Sequence, residues 1–136
     1  MKIAIRYYTR SGNTERLARA IGEAIDVEAK SIDFALEEKV DLLFLGCSYY
    51  AFDVDKSVKD FVVANKDKIG KIVCIGTSCM MKSMQRPMKK VTRACGVELS
   101  KRDFHCRGQL GKFFVGQPNS EDLAAAVKFA KEVIEE

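Results

Sequence analysis

Residues 40–48 (Val-Asp-Leu-Leu-Phe-Leu-Gly-Cys-Ser) constrain the fold of this chain more than any other stretch. A strand with one wet face alternates apolar and polar side chains, whereas this run is apolar on both sides of the pleat. It is therefore expected to be buried on both faces, as in parallel sheets covered by helices above and below. Residues 2–8 (Lys-Ile-Ala-Ile-Arg-Tyr-Tyr) and 71–77 (Lys-Ile-Val-Cys-Ile-Gly-Thr) repeat the pattern. Residues 27–32 make a shorter, weaker strand suited to an edge, and 97–106 supply a fifth.

Between these runs the hydrophobic period lengthens to that of a helix. Over 14–25, Leu17, Ile21 and Ile25 form a stripe with Ala20 and Ala24, while Glu15, Arg16, Arg19 and Glu23 face water. Asp53 or Asp55 can cap a second helix whose apolar positions are Val58, Phe61 and Val62. A third carries Pro87 near its first turn, Met84, Met88, Val91 and Cys95 on one side, and Gly96 as its stop. The last opens at Pro118 and Ser120, has Glu121 and Asp122 at the positive end of its dipole, and sets Leu123, Ala126, Val127, Ala130 and Ile134 in a stripe. Alternating strands and helices with right-handed crossovers predict an α/β, three-layer, doubly wound five-stranded parallel sheet. At 136 residues, 47% hydrophobic and 31% charged, the chain suits one ordered domain over 1–136. No run approaches the roughly 20 apolar residues of a membrane span, and the N-terminus shows no signal-peptide pattern, so a cytoplasmic location is expected.

The chemistry concentrates in Thr9-Arg10-Ser11-Gly12-Asn13-Thr14, between the first strand and the first helix. Hydroxyls, an amide, backbone N–H groups and a helix N-terminus can all donate to one anion there. The loop lacks the G-x-x-x-x-G-K-[ST] of an NTPase and the G-x-G-x-x-G that holds a pyrophosphate against glycine backbone. It suits a single terminal phosphate; a tight turn capped by Thr14 is the plainer alternative.

The run resembles the [ST]-x-[ST]-G-N-T phosphate loop of the flavodoxin family. Tyr50-Ala51 followed by Lys56, Val58, Lys59 and Phe61 is similar to the flavin-edge segment of its short members, and residues 104–108 and 117–123 also look like that group. The resemblance implies strand order 2-1-3-4-5 and a crevice where loops starting at Thr9, Cys47 and Gly76 converge. It implies FMN there, with the phosphate on the side chains of Thr9, Ser11, Asn13 and Thr14 and the backbone of 10–14, Gly12 included; Arg10 either adds charge or points to solvent. In the second loop (Cys47, Ser48, Tyr49, Tyr50, Ala51, Phe52) Tyr50 is the expected stacking residue, while Tyr49 and Phe52 suit core or rim equally. In the third (Gly76, Thr77, Ser78, Cys79, Met80) backbone groups and a soft apolar surface would meet the ring. The implied function is electron transfer between a reductase and an acceptor protein. The alternatives are an FMN-dependent NAD(P)H or quinone reductase and a non-redox module without flavin.

Three departures from long-studied flavodoxins carry further expectations. The net charge is +4 where those proteins are acidic, no glycine occurs in 48–55 to hydrogen-bond the half-reduced ring, and 78–83 has neither a Trp or Tyr nor an acid. Arg10, Lys82 and Arg86 have no acidic neighbour within two residues, so a less negative second reduction step and an acidic or neutral docking partner are expected. Nucleic acid is not an expected partner, because no aromatic-basic stripe occurs. Five cysteines without a C-x-x-C pair suggest reduced thiols rather than a metal site; Cys74 suits the core and Cys79 an inert position over a reactive one. His105 has no carboxylate spaced to orient it and suits a structural role.

Overall fold

A computed structural model describes residues 1–48, 53–78, 83–109, 112 and 114–136. The elements are β1 (Ile3–Tyr8), α1 (Asn13–Ile25), β2 (Ala29–Ser31), β3 (Val40–Ser48), α2 (Lys56–Asn65), a single 3₁₀ turn, β4 (Ile69–Ser78), α3 (Gln85–Cys95), β5 (Glu98–Arg107) and α4 (Ser120–Glu135). All strand pairs are parallel and the order is β2-β1-β3-β4-β5, as expected.

β3 explains why both faces must be covered. Its Leu43, Leu45 and Cys47 join Val58, Phe61 and Val62 of α2 and Met88 of α3 in one core, while Leu42 and Phe44 join Leu17 and Ile21 of α1 and Ala130 of α4 in the other. Each fully buried side chain of this size contributes about 1.5–3 kcal/mol, so the alternation along one strand binds two helical layers. The one charged residue inside β1, Arg6, is also buried. Its guanidinium donates to the carbonyls of Ile5, Phe34 and Ala35, which pins the acidic connection before β3 to the sheet.

Local chemistry sets the element ends. Asp55, not Asp53, caps α2 by accepting from Ser57 N at 3.0 Å, while Asp53 pairs with Lys59 at 2.8 Å. Gly96 ends α3 at φ 72°. β2 has only three residues because Asp26 is left-handed and Val27 N still donates to Gly22 O, using residues expected to be strand for a helix terminus. The α4 stripe is broader than expected: Ala126 and Ala130 are buried and Leu123 and Ile134 pack against the core as expected, Phe129 and Val133 join them, and Val127 does not. That register lays Phe129 on Phe104 of the edge strand β5, with ring centroids 5.8 Å apart and Arg102 over the ring. Among the described residues no helix is long and apolar enough to cross a membrane.

Candidate functional site

The chain leaves β1 outward to β2 and then returns across β1 to β3, so the direction of winding reverses between β1 and β3. In open α/β sheets ligands sit outside the carboxyl ends of the strands at that point. Here those ends are level: Tyr8 pairs with Cys47, Cys47 with Gly76, Ser48 with Thr77, and Ser78 with Arg107.

The first loop closes on itself beneath this edge. Gly12 stands at φ 89°, a conformation that favours glycine, and its N–H donates to Thr9 Oγ1 at 2.9 Å. Thr9, having accepted that bond, keeps its own O–H to give. Gly12 is also the N-cap of α1 and offers no side-chain cap. The first helical bond runs from Arg16 N to Gly12 O at 3.1 Å, so the N–H groups of 13–15 have no acceptor within the helix. Arg10 and Ser11 are exposed, and Thr9 and Asn13 are half-buried. The rim of the loop is thus made of donors.

Behind the loop lies a ring of three buried hydroxyls. Thr14 Oγ1 is 2.5 Å from Ser48 Oγ and 2.8 Å from Thr77 Oγ1, and Ser48 and Thr77 are 3.3 Å apart. Thr14 is fully buried, and its hydroxyl meets the strand ends rather than the loop. Gly46 makes room for this: a Cβ there would stand 2.9 Å from Thr14 Cγ2. The ring ties the first turn of α1 to β3 and β4, fixing the loop relative to the edge of the sheet.

The far wall comes from the segment after β5, which sequence reasoning did not include in the site. Asn13 Nδ2 donates to Gln109 O at 3.1 Å, and a Cβ on Gly108 would come within 2.7 Å of that nitrogen. Arg16 donates to Pro118 O at 2.8 Å, and Gln109 N to Gln117 O at 2.8 Å. The available signal was Gly108 itself, at the end of the 104–108 stretch.

Electrostatics around the edge separate mouth from floor. Asp55 is held below the usual carboxylate range by its bonds from Ser57, with Tyr8 and Arg10 adding to the effect. Tyr8 is raised by burial and by Asp55, and lowered by Arg10. Arg10 therefore has an acidic neighbour in space, which corrects its expected isolation; Asp55 is the N-cap of α2, far away in sequence. Burial pushes the Cys47 thiol up to about 12 and, with Asp122, the Cys106 thiol up to about 12, so neither is a nucleophile at neutral pH. His105 is lowered to about 4 by burial and then by Arg107. Cys47, Cys74, Cys95 and Cys106 are free thiols, Cys74 wholly buried.

The structure thus brings Thr9, Arg10, Ser11, Gly12, Asn13, Thr14, Cys47, Ser48, Gly76, Thr77 and Ser78 to one edge. Tyr49, Tyr50, Ala51, Phe52, Cys79 and Met80 of the expected site, and Lys82 beyond it, lie outside the described residues.

No protein-family model matches the chain, and no curated protein matches it in sequence. Solved structures do. A flavodoxin from the domain Archaea superposes with a TM-score of 0.75 at 19% identity, covering 99% of this chain and 97% of that one. A short-chain flavodoxin associated with a non-canonical PDU bacterial microcompartment gives 0.72 at 16% identity over 99% and 98% of the two chains. Flavodoxin 1 of Bacillus cereus gives 0.70 at 18% identity over 99% and 98%. With the strand order, the crossovers and near-complete coverage of both chains in agreement, this protein has the flavodoxin-like fold.

Proposed function

We propose that this protein binds FMN at the carboxyl ends of β1, β3 and β4 and passes electrons between protein partners, a reductase and an acceptor. The observation that supports this reading best is the uncapped N-terminus of α1 under a loop of donors at the switch point. A phosphate dianion answers what that loop lacks: an acceptor for the N–H groups of 13–15, for the Thr9 and Ser11 hydroxyls, and for the second N–H of Asn13 Nδ2. Charge-assisted bonds of this kind are stronger than neutral ones, so the loop would dominate affinity.

FMN when bound supplies one- and two-electron chemistry, and the chain's task is to hold and orient it. Thr14 serves by position: its hydroxyl ring fixes α1 against β3 and β4, and its N–H faces the anion. Tyr50 is the proposed stacking residue, with Tyr49, Ala51 and Phe52 beside it and Thr77, Ser78, Cys79 and Met80 along the other side. No side chain in this assignment acts as a general acid or base.

The visible absorption spectrum tests the reading. The purified protein, or the protein after incubation with FMN and removal of excess ligand, is expected to be yellow with flavin bands. Protein that stays colourless leaves a non-redox module as the answer. Sustained turnover of a pyridine nucleotide with a quinone replaces the carrier with an FMN-dependent reductase.

A further inference from the structure

α3 carries Arg86, Lys89, Lys90 and Arg93 at i, i+3, i+4 and i+7, so four cations share one exposed face, and the helix contains no acid. Lys101 of the edge strand β5 stands beside them, across a groove of about 450 Å³. Among the described residues none of these five makes an ion pair, whereas Lys2, Arg19, Lys56, Lys59 and Lys71 all do. Lys90 senses an acid, Asp53, but that carboxylate is already bonded by Lys59. Like charges held this close repel one another, and among the described residues no ion pair offsets them.

A second feature of the groove indicates what offsets them. The Gln85 amide lines it, and its Nε2 donates to Ser100 O at 3.0 Å. A carbonyl only accepts, so this bond fixes the amide orientation and leaves Oε1 buried without a donor. The groove thus asks for an anion at its rim; Val97 and Leu99 add apolar surface, and Gln85 Oε1 is shielded from solvent, so a partner's N–H reaches it only if the amide side chain turns outward on binding. An acidic polypeptide has carboxylates and backbone N–H groups together. A phosphodiester backbone meets the cations but brings no donor for Oε1.

We infer that the basic face of α3, with Lys101 and Gln85, is the docking surface for an acidic protein partner. α3 follows the third loop and Arg86 lies in its first turn, so a partner seated along the stripe stands beside the crevice. The assignment rests on the electron-carrier reading for the partner's role, while the binding itself is testable on protein without flavin.

The test is an NMR titration of the flavin-free protein with a synthetic glutamate-rich peptide, and separately with duplex DNA, at low and high salt. Amide shifts are expected along α3 and around Ser100 and Lys101, weakening as salt rises. The variant K89E/R93E should bind the peptide about tenfold or more weakly, while K128E/K131E, an equal charge change on α4 across the sheet, should bind nearly as the parent. Q85M should also weaken the peptide, with little effect on DNA. Equal losses for both charge variants, peptide shifts centred on another face, no peptide binding at low salt, or tighter binding of DNA to the same face would each overturn the proposal. Its failure leaves FMN binding untouched, since that is read from the visible spectrum.

Discussion

Two long helices of this protein begin in opposite ways. α4 satisfies its own first turn: Asn119 Oδ1 accepts from Asp122 N at 2.9 Å, Asp122 Oδ2 accepts from Asn119 N at 2.8 Å, and Glu121 and Asp122 set two carboxylates at the dipole's positive end. α1 begins at a left-handed glycine with no side chain to offer; the loop's Thr9 Oγ1 accepts only from Gly12 N, and Glu15, the one acid of the first turn, pairs with Arg19. A reciprocal cap contributes stability in the free protein. A terminus that opens on glycine forgoes only a few tenths of a kcal/mol of it and keeps its N–H groups for an outside acceptor. The difference separates a helix end made for the fold from one suited to an anion.

The sharpest way to break this comparison is to remove donors at the α1 end. Thr9→Ala with Ser11→Ala is expected to weaken FMN at least about hundredfold, since two bonds to a charged partner contribute roughly 1.5–3 kcal/mol each, and to leave riboflavin binding nearly unchanged. Fluorescence-quenching titrations with both ligands check this; equal losses place the phosphate elsewhere. Next in size is Thr14→Val, which empties one corner of the hydroxyl ring. Ser48 and Thr77, already 3.3 Å apart, can still pair, so the cost should be about 1–2 kcal/mol by denaturant unfolding rather than that of an orphaned buried group. At the other helix, Asn119→Ala should lower stability by about 1 kcal/mol and leave FMN affinity alone. A matching loss of FMN affinity would mean that the two termini are not independent.

A pH-dependent effect is expected beside the site. His105 titrates near 6.5 when unfolded and about 4 when folded, so between those values the unfolded chain holds more protons. Its contribution is therefore fully present above pH 6.5 and is lost as pH falls toward 4. Stability of His105→Gln should be flatter across that window in a series of urea melts; an unchanged slope would assign the pH dependence to carboxylates.

The architecture was legible because burial on both faces leaves a mark on every residue of a strand. Residues 40–48 could be placed at the centre of the sheet from their own side chains, and the donors of 9–14 marked that loop as a candidate anion site. What could not be read depends on contacts distant in sequence. Thr14 is expected among the phosphate ligands from its motif, but its hydroxyl is committed to Ser48 and Thr77 on two other strands. Arg10 has no acidic sequence neighbour, yet folding brings Asp55 to it. Gln109 entered the site only through its backbone carbonyl, which no side-chain pattern reports. The α4 stripe was read without Phe129, because Phe104, against which it packs, belongs to another element.

A pair of calorimetric titrations of the flavin-free protein, one with FMN and one with riboflavin under the same conditions, isolates what the phosphate contributes. The two ligands differ only in the phosphate. If that group is held by the open N-terminus of α1 and its loop, FMN binds about hundredfold or more tightly than riboflavin. Equal affinities, or no binding of either, would contradict the account.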